Sequence, residues 1–86
     1  MGKVEKIMWR ILKGTSDANI RFAELRKLLI NLGFEERIKG SHHIFRKAGI
    51  KEIINIQEDG NKAKSYQVKQ VRNILIKYKF GEQLNG

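Results

Sequence analysis

Apolar residues recur every three to four positions as far as Leu32, alternate in short stretches between Phe34 and Gln57, and then return to helical spacing. A chain with that order of periods is confined to a few layouts, because helical stripes and strand faces bury themselves in different ways. Val4, Ile7, Met8, Ile11 and Leu12 fall at i, i+3, i+4, i+7 and i+8, the spacing of an amphipathic helix of about three turns. Gly14 is its expected stop, and Thr15 to Asn19 reads as a loop. Phe22, Leu25, Leu28, Leu29 and Leu32 make one face of a second helix, with Gly33 where a left-handed residue ends it. Beyond Gly33, three short strands are expected over Phe34–Ile38, His42–Lys47 and Ile53–Gln57, with turns at Gly40-Ser41 and Ala48-Gly49. Asp59-Gly60-Asn61 is a further turn. Ser65 is the expected N-cap of a last helix that buries Val68, Val71, Leu75 and Tyr78. Residues Gly81 to Gly86 read as a polar, frayed tail.

The order α-α-β-β-β-α predicts an α+β two-layer sandwich, a three-stranded antiparallel sheet with helices on one face and the other face wet. It is the layout of a double-stranded-RNA-binding domain with an additional N-terminal helix, residues 1–14. Eighty-six residues are expected to form one domain, 1–86, with its core over 22–80. The chain has no cysteine, so neither disulfides nor thiolate metal sites hold it together. No apolar run approaches the roughly 20 residues of a transmembrane helix. Met1-Gly2-Lys3 leads into no signal-peptide core. A cytoplasmic location without membrane contact is the expectation.

Eighteen Lys and Arg stand against nine Asp and Glu, a formal charge of +9. The distribution says more than the total. Between Arg37 and Lys51 there are five basic residues, two histidines and no acid, and from Asn61 to Phe80 six more basic residues, again without an acid. Clustering of this kind is the electrostatic footprint of a nucleic-acid partner. Two adjacent histidines cannot make a structural zinc site, and no phosphate-cradling glycine loop is present. Neither metal nor cofactor is expected.

The candidate chemistry therefore falls on His42 and His43. Neighbours on a strand point to opposite faces, so one histidine should share a face with Ile44 and the other with Phe45. Imidazole is the side chain best suited to proton transfer near neutral pH, and Arg37, Lys39, Arg46 and Lys47 would draw a phosphodiester to it. The same residues also fit a basic surface strand without catalysis. On the last helix, Lys69, Arg72 and Lys79 border the apolar stripe. With Lys62 and Lys64, Lys69 and Arg72 are candidates to grip a nucleic-acid backbone, or else form a solvated face.

Leu32-Gly33-Phe34, a short spacer, and Gly40-Ser41-His42-His43-Ile44-Phe45-Arg46 resemble the signature of the HicA toxins, also called the YcfA-like family. Ile54 to Ile56, Gly60-Asn61-Lys62 and the helix from Val68 to Leu75 are similar to that family's last strand, turn and C-terminal helix. The resemblance covers about Phe22 to Phe80. It implies a double-stranded-RNA-binding-like fold and a toxin that cleaves mRNA, held inactive by a HicB-type antitoxin. The essential histidine that it implies is His42, with His43 as second choice. Lys39, Ser41, Arg46 and Lys62 are then expected at the RNA. The free toxin is expected to be a monomer or weak dimer. The chain departs from the pattern where Pro and His usually follow the last strand, reading Gln57-Glu58-Asp59, and at Tyr66 and Gln67, near a helix start where glycine is common. Two other classes of function remain open on the residues alone: a non-catalytic RNA-binding module reading shape through phosphate and 2′-hydroxyl contacts, and a DNA binder using the last helix.

Overall fold

A computed structural model describes residues 2–83; the first residue of the expected domain and the end of the expected tail, 84–86, lie outside the described residues. α1 (Lys3–Lys13) buries Ile7, Met8 and Ile11, one stripe of the helical pattern, and stops at Gly14. A 3₁₀ turn over Asp17–Asn19 leads to α2 (Phe22–Asn31), which buries Phe22, Leu25, Leu28 and Leu29. The Arg21 N–H donates to Glu24 Oε1 at 3.4 Å and satisfies one orphan donor at the α2 start. At its far end the Gly33 N–H reaches Ile30 O (3.0 Å) and the Phe34 N–H reaches Leu29 O (3.1 Å). This pair of bonds is a Schellman motif, and it needs a left-handed residue between them. Gly33, at φ 95°, supplies it.

The period changes there because the chain turns back as a sheet. β1 (Glu35–Lys39), β2 (His42–Arg46) and β3 (Ile54–Ile56) form an antiparallel sheet in that order, with β2 central. Lys39 pairs with His42 across the two-residue turn Gly40-Ser41. Gly40 takes φ 61° while Ser41 stays at negative φ, the glycine-first pattern of a type II′ hairpin turn. The register places His43 opposite Ile56 and Phe45 opposite Ile54. Phe45, Ile54 and Ile56 are fully buried, so this face carries the core.

A second, two-stranded sheet follows, β4 (Glu58–Asp59) with β5 (Lys62–Ala63), where only the turn was expected. Ala63 ties it to the core through its N–H to Ile20 O at 2.9 Å. α3 (Ser65–Lys77) buries Gln67, Val68, Val71, Ile74 and Leu75, and Tyr78 lies half-buried beyond it. The expected Ser65 N-cap is corrected. Lys64 holds the extended cap position (φ −70°, ψ 141°) because β5 carries the chain one residue further, and Ser65 is already helical. The frayed tail is corrected in part. α4 (Phe80–Gln83) is a helical turn, and Phe80 is buried with its ring centroid 6.0 Å from that of Phe34.

The architecture is the expected α+β sandwich, with α1 packed across α2 and α3 rather than on the sheet. Among the described residues, no helix is long and apolar enough to cross a membrane.

Candidate functional site

The Gly40-Ser41 turn delivers two histidines to opposite faces of the central strand. Phe45 is buried against the helices, and two-residue alternation therefore sends His43 to the same side. His42 shares the other, open face with Ile44 and Arg46.

On the helix side, His43 Nδ1 lies 2.8 Å from Glu36 Oε2. Arg26 of α2 grips the same carboxylate with two N–H donors, both at 2.6 Å. These Arg26 bonds hold the Glu36 carboxyl below its ordinary range against the opposing effect of burial, with His43 adding to them. The same contact raises Arg26 above its usual value. The ring of His43 stands edge-on to Phe22, with centroids 4.8 Å apart at 71°.

On the open face, the register continued by one pair sets Gln57 opposite His42 and Asn55 diagonal to it, a separation long side chains can span. His42 Nδ1 is 3.1 Å from Asn55 Oδ1. Its Nε2 is 3.4 Å from the Gln57 amide nitrogen, which also donates to Ser41 Oγ at 3.2 Å. The Gln57 backbone is itself tied down: its N–H donates at 3.3 Å to Oε1 of Gln67, the one polar side chain of the described residues that is almost fully buried. Lys39 pairs with His42 from β1. Arg37 and Arg46 occupy the same face by alternation, with Glu35 opposite Arg46.

Of the residues expected from sequence, His42, Lys39, Ser41 and Arg46 thus come together on one surface. The others are placed elsewhere. Lys62, on β5, donates to Asn19 Oδ1 at 3.3 Å. Lys64 is the α3 cap and Lys69 is exposed on α3. Arg72 is turned inward, 2.8 Å from Asp17 Oδ1 and 3.3 Å from Ile11 O, where it links α3 to the end of α1. Glu36, Asn55, Gln57 and Gln67 are not among the site residues expected from sequence, Gln57 and Gln67 standing there only as departures from the family pattern. Asn55 alone left a signal: it is the polar member of Ile54-Asn55-Ile56, and alternation puts it on the wet face. No group of three or more His, Asp or Glu among the described residues is arranged to hold a metal ion.

An open sheet face that carries Arg37, Lys39, Arg46 and one histidine, on a helix-backed α+β sandwich, defines the class of fold and site. Residues 22–77 match the family model of the HicA toxin of bacterial toxin–antitoxin systems, and the chain belongs to that family. It is accordingly the toxin member of such a pair, with an antitoxin as its partner. No curated protein and no solved structure matches the chain.

Proposed function

We propose that the protein is an endoribonuclease that cleaves mRNA with His42 as its proton-transfer group, without a metal, and that a HicB-type antitoxin inhibits it by covering the open sheet face. The observation that carries this reading is the position of His42, exposed on the central strand of a face that Arg37, Lys39 and Arg46 make basic. The charge attracts a phosphodiester, and histidine supplies the base that the chemistry needs.

In the proposed reaction, His42 takes the proton of a ribose 2′-hydroxyl as its oxygen attacks the adjacent phosphorus. A 2′-O–P bond forms and the P–O5′ bond breaks. The products are a 2′,3′-cyclic phosphate and a 5′-hydroxyl, whose oxygen takes a proton from solvent. In this reading Lys39, paired with His42, binds oxygens of the scissile phosphate and steadies charge on them, and Arg46, at the other end of β2, binds a neighbouring phosphate. The opposite orientation and Glu36 bond of His43 favour His42 over it, and leave the two unable to act as acid and base on one phosphodiester. An acidic antitoxin surface complements this face. Lys62, Lys64 and Lys69 extend the basic surface beyond the sheet, and Ser41 holds the Gln57 amide beside the histidine.

The test is cleavage of RNA by purified wild type, His42→Ala and His43→Ala in EDTA. Wild type is expected to cut, and His42→Ala to lose about 10²–10⁴-fold in rate. RNA with a 2′-deoxy sugar at the cleaved position should bind and stay intact. Cleavage of that substrate, or undiminished cutting by His42→Ala, overturns the mechanism. Salt-sensitive binding without cutting would identify an RNA-binding module instead.

A further inference from the structure

The two ring nitrogens of His42 are in contact with two different amides, and the chemistry of those amides selects one tautomer. A carboxamide oxygen only accepts a hydrogen bond, so Asn55 Oδ1 at 3.1 Å calls for a proton on Nδ1. A carboxamide nitrogen only donates, so Gln57 Nε2 at 3.4 Å calls for a lone pair on Nε2. Both demands are met by the neutral Nδ1–H tautomer and by no other. The two hydrogens of the Gln57 amide are then both placed, one toward His42 Nε2 and one toward Ser41 Oγ. The amide is in turn aimed by the Gln57 backbone bond to buried Gln67.

We infer that Asn55 is a positioning residue for the cleavage: it holds the proton of His42 on Nδ1 and thereby keeps Nε2, which Gln57 covers in the free protein, as the base that receives the 2′-hydroxyl proton. The inference rests on the nuclease reading for its consequence and on the β2–β3 geometry for its substance. Without an acceptor beside Nδ1, only the longer Gln57 contact at 3.4 Å still favours that tautomer, so more of the neutral ring carries its proton on Nε2, and a ring protonated there cannot accept one. The 2′-hydroxyl replaces the Gln57 amide at Nε2, donating to the lone pair that the amide has kept in place. The charged group facing His42 is Lys39 from β1; the β3 side presents only the uncharged Asn55 and Gln57. Asn55 is exposed, so its replacement leaves the core untouched.

Two readouts test this. Nitrogen-15 shifts of the neutral His42 ring, measured in the free protein, should show a protonated Nδ1 and a bare Nε2 in wild type. In Asn55→Ala the proton should move toward Nε2. In cleavage, Asn55→Ala should lose about ten-fold in kcat with KM unchanged, the scale of one net hydrogen bond. Asn55→Asp keeps the acceptor, so it should retain the Nδ1–H tautomer. Wild-type ring shifts that place the proton on Nε2, or shifts unmoved by Asn55→Ala, overturn the inference whether or not the protein cuts RNA. Full activity in His42→Ala, with the expected ring shifts in wild type, overturns the role of His42 as the base and leaves the tautomer assignment standing.

Discussion

His43 Nδ1 and Glu36 Oε2 lie 2.8 Å apart on the helix side of the sheet, while His42, one residue earlier, stands on the open side. Two histidines adjacent in sequence thus hold different posts. Glu36 is largely buried and shared between His43 and the exposed end of Arg26, so His43 belongs to a contact between the sheet and α2.

That division predicts different outcomes for the two positions. Glu36→Gln keeps the shape but loses the charge that Arg26 and His43 share. Because Arg26 is well solvated, the cost should be about 1 kcal/mol rather than that of a fully buried pair. For a domain of this size the Tm should fall by roughly 4–8 °C, with RNA cleavage per folded molecule unchanged. Thermal melts and activity, both corrected for folded fraction, check it. A fall in activity without a fall in Tm would return His43 and Glu36 to the catalytic account.

Lys39→Ala and Arg46→Ala should weaken RNA binding without changing the fold, since both side chains lie on the open face. If each neutralises one phosphate of a single strand, the slope of log K against log salt should flatten by about 0.7 per substitution. Binding isotherms at several salt concentrations give the slope directly. Unchanged slopes for both would move the RNA away from this face.

The layout of the fold was legible because its signals are local. The stripes of α1, α2 and α3, the Gly33 stop and the Gly40-Ser41 turn each depend on a few neighbouring residues. The β4–β5 hairpin was not legible. Its strands are two residues each, mostly charged, and only Ala63 is buried. Alternation alone put His42 and His43 on opposite faces, and Phe45, fully buried, decides which face is which. The partners of His42 are a different matter. Asn55 and Gln57 reach it only through the β2–β3 register, and residues 47–53 between those strands carry no mark that fixes that register. Gln67 was read as a departure from the family pattern; its role appears only when α3 is docked beside β3.

A pH effect is expected far from the histidines. The Glu52 carboxyl is held down to about 2 by its bond to Lys77, and further by the Tyr78 hydroxyl, which donates to it at 2.6 Å. A carboxyl lowered in the folded state stabilises the fold above its unfolded value near 4.5, and that contribution is lost as the pH falls toward 2. Wild type should therefore melt at a higher temperature than Glu52→Gln at neutral pH, and the two curves should converge between about pH 4.5 and 2. A difference in Tm that stays constant across that range would assign the effect to packing of Tyr78 instead.

Arg72 gives the sharpest separation of structure from RNA contact. From sequence it is one of the basic residues bordering the α3 stripe, yet its guanidinium lies 2.8 Å from Asp17 and 3.3 Å from the Ile11 carbonyl, with both side chains mostly buried. A charge so engaged is costly to withdraw, because removing it leaves the mostly buried Asp17 carboxylate without its guanidinium partner and the Ile11 carbonyl with only the Gly14 N–H. Arg72→Ala should thus lose about 1–3 kcal/mol of stability and leave the salt slope of RNA binding where it was. Asp17→Asn should lose less, since the amide oxygen still accepts a bond from the guanidinium. The double variant should cost less than the sum of the two, as expected of residues in direct contact. Additive losses would place the value of Arg72 in its bond to Ile11. A flattened salt slope in Arg72→Ala would mean that the guanidinium leaves Asp17 to meet the RNA, making this ion pair a latch rather than a strut.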